Sequence, residues 1–190
     1  MRIAILGWGS LLWEGGAEFD QWHDPWAYDG PALKLEFSRV SETRLGALTL
    51  VIDEEHGTPT AVAWCLSRRA SVEDAVCDLR CREGTTAANI GRLIVTPQPE
   101  KSTERGAEDP QLAWARLKKL DLLVWTALKG NFTEKRQQPF SVNAAVSYLK
   151  TLKPEAKVKA AEYVWRAPDF VKTPVRSALQ REPWFSEPGS

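Results

Sequence analysis

Ile3-Ala4-Ile5-Leu6-Gly7-Trp8-Gly9-Ser10-Leu11 opens with a short apolar run and closes it with two glycines. A run of this length bounded by glycine predicts a buried strand that ends in a tight turn. Glycine there permits positive φ and lets other groups approach the backbone closely. Successive backbone N–H groups in such a turn can converge on an anion. The turn is therefore either a plain chain reversal or a cradle for a small acidic group. It is not a dinucleotide fingerprint, because the third glycine of that pattern would fall at Leu12. The lysine of a P-loop is also missing.

A second decisive stretch runs from Ser71 to Gly84. Ser71 with Asp74 three residues on has the form of a capping box. Val72, Ala75, Val76 and Leu79 then follow helical spacing, and Gly84 is placed to end the helix. Eleven steps of about 100° from Val72 bring Glu83 back to roughly 20° from the starting direction. Glu83 thus continues the core-facing stripe. An inward carboxylate at the negative end of a helix is disfavoured as an anion, and such an acid suits proton transfer. The alternative is a frayed last turn with Glu83 solvated or paired with an arginine.

Outward from these stretches, strands dominate the first half and helices the second, the pattern of an α+β protein. Residues 33–37 alternate apolar and polar, a half-buried strand. Residues 46–53 and 60–66 are β-rich and flank Glu54-Glu55-His56-Gly57-Thr58-Pro59, which predicts a hairpin. Residues 14–31 are rich in glycine and aromatics without a period and predict a long loop. Further strands are expected at 90–96 and 122–126, and a polar loop, either lid or disorder, at 97–109. Asp109-Pro110, Ser141, Pro154 and Thr173-Pro174 mark four helix starts.

Composition limits the function. Lysine plus arginine (25) balances aspartate plus glutamate (25), so broad binding to nucleic acid or a membrane surface has no electrostatic basis. No stretch approaches the roughly 20 apolar residues of a membrane helix. Three cysteines in 190 residues argue against a disulfide framework and for a reducing, cytoplasmic setting. His23 and His56 are the only histidines. They do not form a histidine-rich zinc site, and no metal or other cofactor is expected. Arg39 shares parity with Leu35 and Phe37, so it either points inward or pairs at the surface. Arg39 and Arg44 are candidates to grip a substrate carboxylate. Trp13, Trp22, Trp26 and Tyr28 either line a pocket or cover core.

Three of these segments together resemble γ-glutamyl cyclotransferase-like proteins. Residues 5–13 are similar to the N-terminal motif of the glutathione-degrading ChaC branch, which reads glycine-tyrosine-glycine-serine-leucine-isoleucine-tryptophan. Residues 37–51, with Arg39, Ser41, Arg44, Gly46 and Leu48-Thr49-Leu50-Val51, look like the next strand pair. Leu79-Arg80-Cys81-Arg82-Glu83-Gly84 looks like the helix end where an Arg-Glu pair carries the family's catalytic glutamate. The resemblance covers about the first half of the chain. Trp8 stands where the family usually has tyrosine, which removes a phenol, and residues 141–184 lie outside the match.

The resemblance implies a small mixed β-barrel with flanking helices over residues 1–130, and a helical C-terminal extension over 131–190. It implies that Gly7, Trp8, Gly9, Ser10 and Leu11 hold a γ-glutamyl group and that Glu83 faces it as the acid/base. In the implied reaction the substrate's α-amine attacks its own γ-carbonyl, 5-oxoproline forms and the amine-side fragment leaves. The expected partner is a small γ-glutamyl substrate, with the chain a monomer or homodimer. The other reading is a small-molecule-binding or regulatory protein of the same fold without catalysis.

Overall fold

The computed structural model describes residues 1–95 and 109–187. Among these, seven strands form: β1 (Ile3–Gly7), β2 (Ala32–Ser41), β3 (Ala47–Ile52), β4 (Thr58–Ala61), β5 (Ala63–Leu66), β6 (Ile90–Ile94) and β7 (Leu122–Thr126). The helices are α1 (Ala17–Asp20), α2 (Val72–Arg82), α3 (Pro110–Leu117), α4 (Phe132–Arg136), α5 (Val142–Lys150), α6 (Pro154–Arg166) and α7 (Pro174–Leu179). The chain is α+β, and no helix among the described residues is long and apolar enough to cross a membrane. Thr96 and the loop expected from Pro97 up to Asp109 lie outside the described residues, apart from Asp109 itself.

The chain groups into two compact units that interleave in sequence. The first comprises Met1–Gly7, Glu14–Ala32 and the described part of Ala61–Ala127. Its sheet has the order β5-β1-β7-β6. β1 runs antiparallel to β5 and parallel to β7, with Ile3 opposite Leu122 and Ile5 opposite Val124. All five residues of β1 are buried, which is why it reads as an unbroken apolar run instead of an alternation. The segment expected as a structureless loop at 14–31 is partly regular. It carries α1 with a buried Phe19, and paired hydrogen bonds between Ala27 and Trp64 tie it to β5.

α2 packs on β6 and β7. The Ser71 hydroxyl accepts the Asp74 N–H at 3.1 Å, and Ala75, Val76 and Leu79 are buried. The helix closes in a Schellman turn. Gly84 has φ of 57°, its N–H reaches the Cys81 carbonyl at 3.2 Å, and the Thr85 N–H reaches the Arg80 carbonyl at 3.1 Å. α3 starts as its sequence predicts, with the Asp109 carboxylate accepting the Gln111 N–H at 2.8 Å and Pro110 in the first turn.

The second unit comprises Trp8–Trp13, Leu33–Thr60 and the described part of Leu128–Ser190. Its sheet has the order β3-β2-β4. The hairpin expected between β3 and β4 is therefore corrected: both strands flank β2 and do not pair with each other. The true hairpin joins β2 to β3 through a turn with positive φ at Leu45 and Gly46. After β3 the chain crosses the end of β2. Asp53 Oδ1 caps this crossing by accepting the N–H groups of Glu55 and His56. Gly57 passes so close to the Lys34 and Asp53 backbones that a Cβ would collide with them. The apolar run at 60–66 is likewise divided, its halves serving different sheets. Neither sheet closes into the expected barrel by the pairing among the described residues.

α5 and α6 pack against β3, and α7 packs against α5. Ser141 and Thr173 cap α5 and α7 through their hydroxyls, and Pro154 and Pro174 occupy first turns. Arg176 of α7 is buried and donates to the carbonyls of Trp165, Ala167, Pro168 and Val171. That guanidinium gathers the carbonyls of the chain leaving α6, with Trp165 in the last turn, Ala167 at the cap and Pro168 and Val171 beyond it. Its burial lowers its pKa, yet an arginine starts so high that it remains a cation.

Candidate functional site

In the second unit, Trp8 is extended at φ −153° and Gly9 turns the chain at φ +64° into a short 3-10 helix, Gly9–Leu12. Only glycine holds this position comfortably. Its backbone angle is left-handed, and a Cβ would collide with the Tyr163 hydroxyl. Trp8 is buried and donates its indole N–H to the Leu50 carbonyl at 3.2 Å. Leu11 is buried and Ser10 is half-buried. Gly7, also buried, ends β1 in the first unit.

Tyr163 is the residue at this turn that sequence reasoning missed. It lies on the buried face of α6, the helix that packs on the 3-10 turn. Trp13 meets its ring edge-on at 5.4 Å, Phe37 at 6.2 Å, and the Arg44 guanidinium stacks over it at 4.8 Å. The turn, a phenol and an arginine thus come together within one unit. The spacing of Ala156, Ala160, Tyr163 and Val164 shows that Tyr163 faces inward. Nothing in that spacing says which part of the chain it meets.

The two candidate arginines differ. Arg44 is half-buried on the Tyr163 ring. Arg39 donates to the Lys129 carbonyl at 2.9 Å and does not keep the parity of Leu35 and Phe37. A register shift between Glu36 and Arg39 breaks the alternation of β2, so Val40 and not Arg39 takes the next buried place after Phe37 and Ser38. Glu36, read from its alternation as solvent-facing, keeps its register opposite Val51 ahead of the bulge, and the start of α7 covers its face of the strand, leaving it at 1% exposure. Its carboxylate accepts the Phe37 N–H at 2.7 Å and the Val175 N–H at 3.4 Å. Burial raises its pKa, against the opposing hydrogen bonds from the Thr173 side chain and these two N–H groups.

In the first unit, Glu83 is the C-cap of α2, and its side chain is 19% exposed. The side chain is largely buried and is also paired with an arginine, the alternative that the sequence left open. Arg82, 13% exposed, stands beside it with Nη1 3.8 Å from Glu83 Oε1. Arg82 also donates to the Glu14 carbonyl and lies against Gly16, whose missing side chain makes room for it. Arg69 clamps Asp78 through two bonds of 2.7 and 2.9 Å and stacks over Trp22 at 3.5 Å.

A cavity of about 570 Å³ lies in this unit between α2 and the segment carrying α1. Arg69, Arg82, Cys77 and Cys81 are on its wall. Among the described residues no three histidine, cysteine, aspartate or glutamate side chains cluster as a metal site. The indole N–H groups of Trp64 and Trp114 both bond to Asp29, so these tryptophans tie surface segments together. No family model, no curated protein and no solved structure matches this chain.

Proposed function

We propose that this chain is a γ-glutamyl cyclotransferase-like enzyme that releases 5-oxoproline from a γ-glutamyl amine or peptide. In this reading Glu83 takes a proton from the substrate's α-amine as it attacks the γ-carbonyl, then returns one to the departing amine. Attacker and target belong to one molecule, so holding the substrate in a folded pose supplies much of the rate. The turn from Gly7 to Leu11 holds the γ-glutamyl group, and its backbone N–H groups face the developing oxyanion. Arg44, stacked on Tyr163 beside the turn, is the arginine suited to the substrate carboxylate, and Arg39, which lies on β2 and donates to the Lys129 carbonyl, has the lesser claim. The closed barrel that the resemblance implies belongs to this proposal.

The observation that carries the reading is the pairing of two sequence signatures with the local conformations they require. One is a strand-ending turn with left-handed Gly9. The other is a helix end where a largely buried Glu83 sits between Arg82 and the left-handed Gly84. The test is release of 5-oxoproline from a panel of γ-glutamyl amines and peptides by the purified chain, with Glu83→Gln in parallel. Loss of general acid/base catalysis costs about 10²-fold or more.

A non-catalytic binding protein of the same fold is the second reading, and the Tyr163 phenol beside Gly9 favours it, because that ring occupies space at the turn. That reading expects saturable binding of a γ-glutamyl compound with no 5-oxoproline formed.

A further inference from the structure

The proposed chemistry leaves Cys77 and Cys81 unused. They are four residues apart on α2, exposed, and on the wall of the 570 Å³ cavity. Their sulfurs are 3.9 Å apart. Arg80 Nη2 lies 3.7 Å from Cys77 Sγ and 3.5 Å from Cys81 Sγ, so a fixed positive charge stands beside both. Cys65 is different: it is buried in β5, and burial pushes its thiol pKa up.

Two chemistries suit a close pair of thiols, and helix geometry separates them. A disulfide needs Cβ atoms about 3.8 Å apart. Residues at i and i+4 on a helix hold their Cβ atoms about 5–6 Å apart. Oxidation would therefore require α2 to deform. Chelation would not. A tetrahedral centre with zinc–sulfur bonds of about 2.3 Å places two sulfurs about 3.8 Å from each other. The observed separation matches that bite.

We propose that Cys77 and Cys81 form a two-thiolate site for a soft divalent cation of the zinc class. On binding, two S–H bonds break, two sulfur–metal bonds form and two protons pass to solvent, with no change of oxidation state. Arg80 offsets the charge of the two thiolates. No third protein ligand joins the pair among the described residues, so the remaining coordination positions face the cavity and take water or a small thiol. A centre with open positions binds more weakly than a closed structural site and exchanges its ligands.

The test uses the full chain, reduced and metal-free, titrated without oxygen with cobalt(II) as a tetrahedral reporter and then competed with zinc(II). The site predicts one cobalt per chain, a thiolate-to-cobalt charge-transfer band, release of about two protons per metal, and displacement by zinc. Cys77→Ser and Cys81→Ser, both at exposed positions, should each abolish the band and weaken zinc binding more than about tenfold. An absent band, or a band that survives in either variant, overturns the proposal. Neither result bears on 5-oxoproline release, so the two proposals stand or fall separately.

Discussion

Gly9 and Gly84 share a left-handed backbone but differ in what surrounds them. At Gly84 nothing lies within 4 Å of where a Cβ would stand, whereas at Gly9 the Tyr163 hydroxyl fills that space. Gly84→Ala should therefore cost about 1–2 kcal/mol, the conformational term alone. Gly9→Ala should cost more, and Tyr163→Phe should recover part of the excess when combined with it. Denaturant titration of the single and double variants reads this difference directly.

Glu36 gives a second residue-scale test. Burial raises its folded-state pKa above the usual 4.5, so the folded chain binds this proton more tightly than the unfolded chain. Its contribution to stability is then fully present below pH 4.5 and is lost as pH rises through the raised folded value. Glu36→Gln removes the ionisation. The denaturation midpoint of the wild type should fall relative to the variant as pH rises from 4.5 toward neutrality. A constant difference across that range would contradict the burial argument.

At the scale of elements, what was legible in the sequence was what neighbouring residues decide among themselves. Ser71, Asp109, Ser141 and Thr173 cap the helices whose starts they mark, because a hydroxyl or carboxylate reaches an N–H two or three residues on. Ser71→Ala should accordingly destabilise the chain by about 1 kcal/mol in thermal or denaturant unfolding. What was not legible was decided between segments. β3 and β4 read as hairpin partners because they are consecutive, yet β2 is long enough to pair with one on each edge. The bulge in β2 inverted the reading of Arg39, since one extra residue exchanges the two faces of a strand, whereas Glu36 is buried because the start of α7 covers its face. The segment at 14–31 lacks a period because it is held by backbone pairing to β5 instead of by a stripe of its own.

At the scale of the whole molecule, the interleaving of two units was hidden from the sequence, because no change of composition marks where the chain leaves one and enters the other. The helices read from the C-terminal third are present, and α6 carries the phenol that stands at the glycine turn. Trp8 is buried at the glycine turn, and Tyr163 brings a phenol to the same turn from a distant part of the chain. The proposed activity requires proton transfer by Glu83 on a γ-glutamyl substrate. Its most direct test is to measure 5-oxoproline released from a panel of γ-glutamyl amines and peptides by wild-type chain and by Glu83→Gln of unchanged thermal stability. The account predicts turnover of at least one panel member by the wild type and a loss of about 10²-fold or more in the variant. No release from any member, or equal release by the two proteins, would contradict it.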